Sequence, residues 1–119
     1  MTEYVRSESW SDIVTFYRGL VEQDRMQQGP MLRLVEQLAA SRFAQGLFGA
    51  TSHHTLMIAQ APRFDPQCEV LHIEFAAGKF SFKFVEQPYV ERRWNKECGP
   101  DEGFSALEHF LVDLKKWFP

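Results

Sequence analysis

The chain has 119 residues, 45% hydrophobic and 24% charged, with a formal net charge of −3 and a pI near 5.8. That length and apolar content suffice for one ordinary core without a metal or disulfide staple. The acidic balance excludes a general attraction to nucleic acid or to an anionic membrane surface, and no apolar run approaches the roughly eighteen residues of a membrane span.

Only two cysteines occur, Cys68 and Cys98, in no CxxC arrangement. This fits reduced thiols in the cytoplasm better than a disulfide framework. The N-terminal stretch MTEYVRSESW lacks the apolar run of a secretion signal, so a cytoplasmic location is expected.

Taken in order, Ser9 followed by Asp12 reads as a helix start. Trp10, Ile13, Val14, Tyr17, Leu20 and Val21 then recur at helical spacing, predicting an amphipathic helix over about 10–25. Gly19 sits inside it and costs roughly 1 kcal/mol relative to alanine unless a neighbour packs closely there. Gly29-Pro30 punctuates the chain, and Met31, Leu34, Val35, Leu38 and Ala39 line a second helix whose pattern weakens after Phe43 towards Gly46 and Gly49. Residues 1–48 therefore read as a helical hairpin.

From Thr51 the period changes. Residues 54–60 (HTLMIAQ) read as a strand whose two faces are too alike to show which is buried. Residues 69–85 are the strongest signal in the chain: Leu71, Ile73 and Phe75, then Phe80, Phe82 and Phe84, alternate with polar positions around Ala77-Gly78. A two-residue turn pairs Phe75 with Phe80, Ile73 with Phe82 and Leu71 with Phe84 on one dry face. Burying each of these side chains contributes roughly 1.5 to 3 kcal/mol. The reverse face then carries Val70, His72 and Glu74 against Val85, Lys83 and Ser81. A fourth strand, about 89–96, follows Gln87-Pro88, and residues 97–103 are turn chemistry. Phe104, Leu107, Phe110, Leu111, Leu114, Trp117 and Phe118 then form the stripe of a last helix, with Ser105 and Glu108 as its capping box.

The expected fold class is α+β, of order ααββββα: a four-stranded, mainly antiparallel sheet with helices packed on the Phe-rich face. One domain spans 1–119, divided into a helical hairpin (1–48), the sheet (52–97) and the C-terminal helix (101–118). A sheet of four strands about 4.8 Å apart has room for two helices about 10 Å wide, so the third helix either joins the others on that face or covers the reverse one.

No motif fixes a reaction. The stretch KFSFKFV has the aromatic alternation of strands that stack RNA bases, but its rings share a face with Leu71, Ile73 and Phe75, which reads as core. His53 and His54 diverge in an extended chain, and a metal would need Cys68 or His72 as well. Ser105 and His109 lie one helical turn apart, yet no acid is evident to orient the imidazole. Glu69, Glu74, Glu86 and Glu91 read as solvated strand-edge carboxylates. Catalytic residues, metal and cofactor are accordingly expected to be none.

The fourth strand carries the functional expectation. A two-residue turn at Gln87-Pro88 would set Val90 opposite Val85, Arg92 opposite Lys83 and Trp94 opposite Ser81. Trp94, Arg92, Lys83, His72, Glu74 and Val90 would then form a reverse-face patch with the composition of a protein-binding surface. The facing Arg92 and Lys83 would repel, which either counts against this register or favours an acidic partner, and a bulge at Pro88 would send Trp94 into the core. The expected function is a small interaction module (an inhibitor, adaptor or immunity-type binder) whose partner is another protein or a second copy of the chain. The alternative is a ligand-binding or enzymatic domain with a pocket between the sheet and the helical hairpin, approached by His54, His72 or Glu74.

Overall fold

The computed structural model describes residues 5–64, 69–85 and 93–119. Its elements run β1 (Val5–Arg6), α1 (Trp10–Glu22), α2 (Gly29–Ala39), a 3-10 turn (Arg42–Gln45), β2 (Phe48–Ser52), β3 (Thr55–Ala59) and β4 (Arg63–Phe64). They continue with β5 (Val70–Ala76), β6 (Lys79–Val85), β7 (Arg93–Cys98) and α3 (Gly103–His109), which passes into a π-helical turn (Phe110–Leu114). The main sheet is antiparallel, in the order β2-β3-β5-β6-β7, and β1 pairs with β4 in a separate two-stranded ribbon. The α+β class and the antiparallel sheet are as expected, with five strands in place of four.

The Phe-rich hairpin has the predicted register, Leu71 with Phe84, Ile73 with Phe82 and Phe75 with Phe80. Its turn is the two residues Ala77 and Gly78, at φ 54° and 78°. Two consecutive left-handed residues give the hairpin connection whose twist matches that of the strands. Leu71, Ile73, Phe80, Phe82 and Phe84 are all buried, in one cluster with Ile13, Tyr17 and Leu20 of α1, Met31, Leu34, Val35 and Leu38 of α2, and Ala106, Leu107, Phe110 and Leu111 of the C-terminal helix. All three helices therefore pack on the same face of the sheet.

Two glycines set how closely they pack. A Cβ at Gly49 would lie 2.7 Å from the Trp10 ring and 2.9 Å from Ile13, and one at Gly103 would lie 2.6 Å from the Phe80 ring. Gly49 is thus a strand residue where α1 presses on the backbone, not the tail of a fading helix. That explains the additional strand β2, which falls partly inside the stretch expected to be helical hairpin. FGATS has too little alternation to show itself, and β2 is defined by pairing with β3 around a tight turn in which His53 is left-handed, φ 55°.

At α1 the Ser9 side chain accepts the Asp12 amide N–H at 3.1 Å, as predicted, but the helix ends at Glu22, short of Arg25. The C-terminal helix departs further from expectation. It has no side-chain cap, Ser105 lies in its first turn and is exposed, and after His109 it widens into the π turn. The chain then leaves helical geometry with Lys116 at φ 54°, placing Trp117 against Phe84 and Phe110, and Phe118 against Phe43. Leu114, expected in the apolar stripe, is 45% exposed.

β7 corrects the fourth-strand register. Trp94 pairs with Phe84, Asn95 with Lys83 and Glu97 with Ser81. This is three residues away from the two-residue-turn register, an odd number, so every side chain of the strand changes face. Trp94 accordingly lies on the Phe face, 5.0 Å between ring centroids from Phe110 and 6.2 Å from Phe82. The expected Gln87-Pro88 turn, Val90 and Arg92 lie outside the described residues.

Candidate functional site

The reverse face of the sheet divides into two halves. On one, Ala50, Met57, Ala59 and Val70 are buried beneath Phe64 of β4, with Phe48 packed beside them in a second, smaller apolar cluster. The N-terminal segment closes that end: the Ser7 N–H donates to the Pro62 carbonyl at 3.0 Å, the Glu8 N–H to that of Gly49 at 2.8 Å, and the Glu8 carboxylate accepts from both N–H and hydroxyl of Thr51.

On the other half, Thr55 of β3, His72 and Glu74 of β5, and Ser81 and Lys83 of β6 line a shallow groove of about 330 Å³. Strand parity places them there. His72 pairs with Met57 on one side and Lys83 on the other, and Glu74 pairs with Ser81. An imidazole, a carboxylate, an ammonium and two hydroxyls thus share one pleated patch whose backbone is held by hydrogen bonds across three strands. An ion pair between Lys79 and Glu97, at 2.5 Å, stands near its rim.

His72 is half-buried, and burial is the main cause pushing its pKa below the usual 6.5, with the facing Lys83 ammonium adding to it. The ring is therefore neutral at pH 7 and offers one donor and one acceptor. The groove suits complementary hydrogen bonding with one charge of each sign.

Of the six residues that sequence reasoning placed in a partner site, the structure brings His72, Glu74 and Lys83 together in this groove. It assigns Trp94 to the opposite face, while Arg92 and Val90 lie outside the described residues. Thr55 was missed because the two faces of 54–60 are alike, and only the pairing of β3 with β2 and β5 shows which of its residues line the groove. The other candidates disperse. His109 does have an acid, the Asp113 carboxylate at 2.9 Å, but both side chains are exposed on the helix surface, as is Ser105. His53 and His54 form the β2–β3 turn, and the His54 carbonyl accepts the Tyr17 hydroxyl at 3.0 Å. That buried phenol is pushed well above its usual pKa, mainly by burial and further by Glu8. Among the described residues no three His, Cys, Asp or Glu side chains converge as a metal site, and Cys68 lies outside them. Cys98 is half-buried, its thiol pKa raised mainly by burial and also by Glu102, against the opposing effect of Lys96. No helix of the described residues is long and apolar enough to cross a membrane.

A larger depression, about 540 Å³, separates α2 from the corner before α3. Its walls include the long exposed side chains of Arg33, Glu36 and Gln37, whose rotamers set its outline, whereas strand backbone frames the sheet groove. Comparison with protein-family models, with curated proteins and with solved structures finds no match to this chain.

Proposed function

We propose that this protein is a small interaction module, of the inhibitor, adaptor or immunity-binder kind, that recognises another protein through the open half of the sheet's reverse face and carries out no catalysis. The observation that supports this reading is the one-sidedness of the molecule. All three helices cover the Phe face, while Thr55, His72, Glu74, Ser81 and Lys83 stand on paired strands and, among the described residues, no helix covers them. The partner would present a hydrogen-bonding surface with an acidic group for Lys83 and a basic one for Glu74. Both signs within one groove make selection depend on arrangement rather than on net charge.

The experiment is comparative capture with the whole chain and with the double charge exchange Glu74→Lys, Lys83→Glu, both side chains being exposed. The exchange conserves net charge. The expected outcome is loss of specifically captured protein with an unchanged melting temperature. An identical capture profile from both forms counts against the reading. A second copy of the chain is the homotypic case, and its signature would be a concentration-dependent dimer in sedimentation that the same exchange abolishes.

A further inference from the structure

The two edges of the main sheet are finished differently. At β2 the N-terminal segment occupies the outer side: the Glu8 N–H donates to the Gly49 carbonyl at 2.8 Å, and the Glu8 carboxylate accepts the Thr51 N–H at 2.8 Å. At β7, among the described residues, β6 is the one strand neighbour, and no backbone hydrogen bond outside that pairing reaches residues 94–97. Alternate residues of an edge strand point their N–H and C=O groups outward, and such a row is a template for another strand. Two devices that blunt such edges are absent from β7. Its pairing with β6 runs unbroken from Val85–Arg93 to Phe80–Cys98, without a bulge, and its six residues include no proline. Asn95, Lys96 and Glu97 are exposed and Trp94 is half-buried, so an added strand must match this order of side chains.

The strand that matches it is β7 itself, reversed. Residues directly opposite in an antiparallel pair share a face of the sheet. A twofold axis through Asn95, perpendicular to the sheet, sets Trp94 opposite Lys96 on the helix face. On the other face it sets Asn95 opposite Asn95, and Glu97 opposite position 93, an arginine. Sliding the copy by two residues towards Cys98 would put Lys96 against Lys96, and parallel pairing in register would put every charge against its like. We propose that β7 of one chain pairs antiparallel with β7 of a second copy, Asn95 lying on the axis, so that two five-stranded sheets become one continuous sheet. Strand hydrogen bonds hold the copies together and the charge order fixes their register. The Lys96 ammonium then lies over the open part of the Trp94 ring, and Glu97, exposed while paired with Lys79, is within reach of a second cation. The helices of both copies share one side of the joined sheet and the two grooves share the other. This pairing does not rest on the partner reading of the groove.

The test is sedimentation of the whole chain, of Asn95→Asp, of Asn95→Lys, and of the two variants mixed. The unaltered chain is expected to dimerise as its concentration rises, and its β7 amides to exchange more slowly as it does so. Each variant alone sets like charges against each other on the axis and should weaken the dimer severalfold, whereas the mixture sets opposite charges there and should restore it. A monomer at every concentration, a dimer that neither variant weakens, or a mixture no stronger than the variants alone overturns the proposal. If a variant disturbs the fold, exchange in the unaltered chain still decides, since β7 protection independent of concentration also overturns it. The Glu74→Lys, Lys83→Glu exchange changes no residue of β7 and should leave this dimer in place, so the edge pairing and the groove reading fail separately.

Discussion

Gly19 and Gly103 both lie in helices, and a methyl group should act oppositely at the two. Nothing stands within 4 Å of a Cβ built at Gly19, so Gly19→Ala is expected to raise stability by up to about 1 kcal/mol through the ordinary helix preference. At Gly103 the same atom meets the buried Phe80 ring, and Gly103→Ala is expected to lose about 1 to 3 kcal/mol by overpacking. Denaturant unfolding of the pair measures both. Trp94→Ala should cost about 2 to 3 kcal/mol, below the loss for a fully buried tryptophan because Trp94 is half-buried against Phe82 and Phe110. A surface tryptophan would give almost no change. His72 contributes a pH dependence on the acid side. Its folded pKa lies below the usual value, so the unfolded chain binds the proton more readily. The His72 contribution is therefore intact above about pH 6.5 and is lost as the pH falls from there through the folded value. Lys83→Ala should raise the His72 pKa only part of the way back, since burial is the larger cause, and an NMR titration of the ring reads this directly.

At the scale of elements, the helices were legible where a stripe of large side chains recurs every three or four residues, and the central hairpin where rings alternate. β2 was not, because its residues are mostly small and its strand geometry is imposed by β3 and by Trp10 pressing on Gly49. The C-terminal helix was readable as an apolar stripe but not as a path. The π turn and the left-handed Lys116 redirect Trp117 and Phe118 towards separate core rings, Phe84 and Phe43. Ending the chain after Leu114 should remove those two half-buried rings and lower stability by roughly 3 kcal/mol, visible as an earlier unfolding midpoint.

Over the whole molecule, β3, β5 and β6 each have strand neighbours on both sides, while β2 and β7 form the edges. Amide exchange should be slowest in β5 and β6, whose alternating side chains form the middle of the core, and faster in β7. The candidate site was half legible. Period two alone gathers His72, Glu74 and Lys83 on one side of the hairpin, because parity within a tightly turned pair is a local property. Trp94 was misplaced because parity does not propagate through a connection of unknown geometry, here residues 86–92. By itself the sequence determined which side chains of the central hairpin are dry, that its two strands pair and in what register, since each follows from the spacing of apolar groups along a few neighbouring residues. Only the tertiary structure decided that all three helices share one face, that Trp94 joins them and that, among the described residues, no helix covers the half of the other face around His72 and Lys83. Those outcomes depend on how closely backbones approach at Gly49 and Gly103 and on which surfaces fit together, quantities that no single stretch of chain encodes.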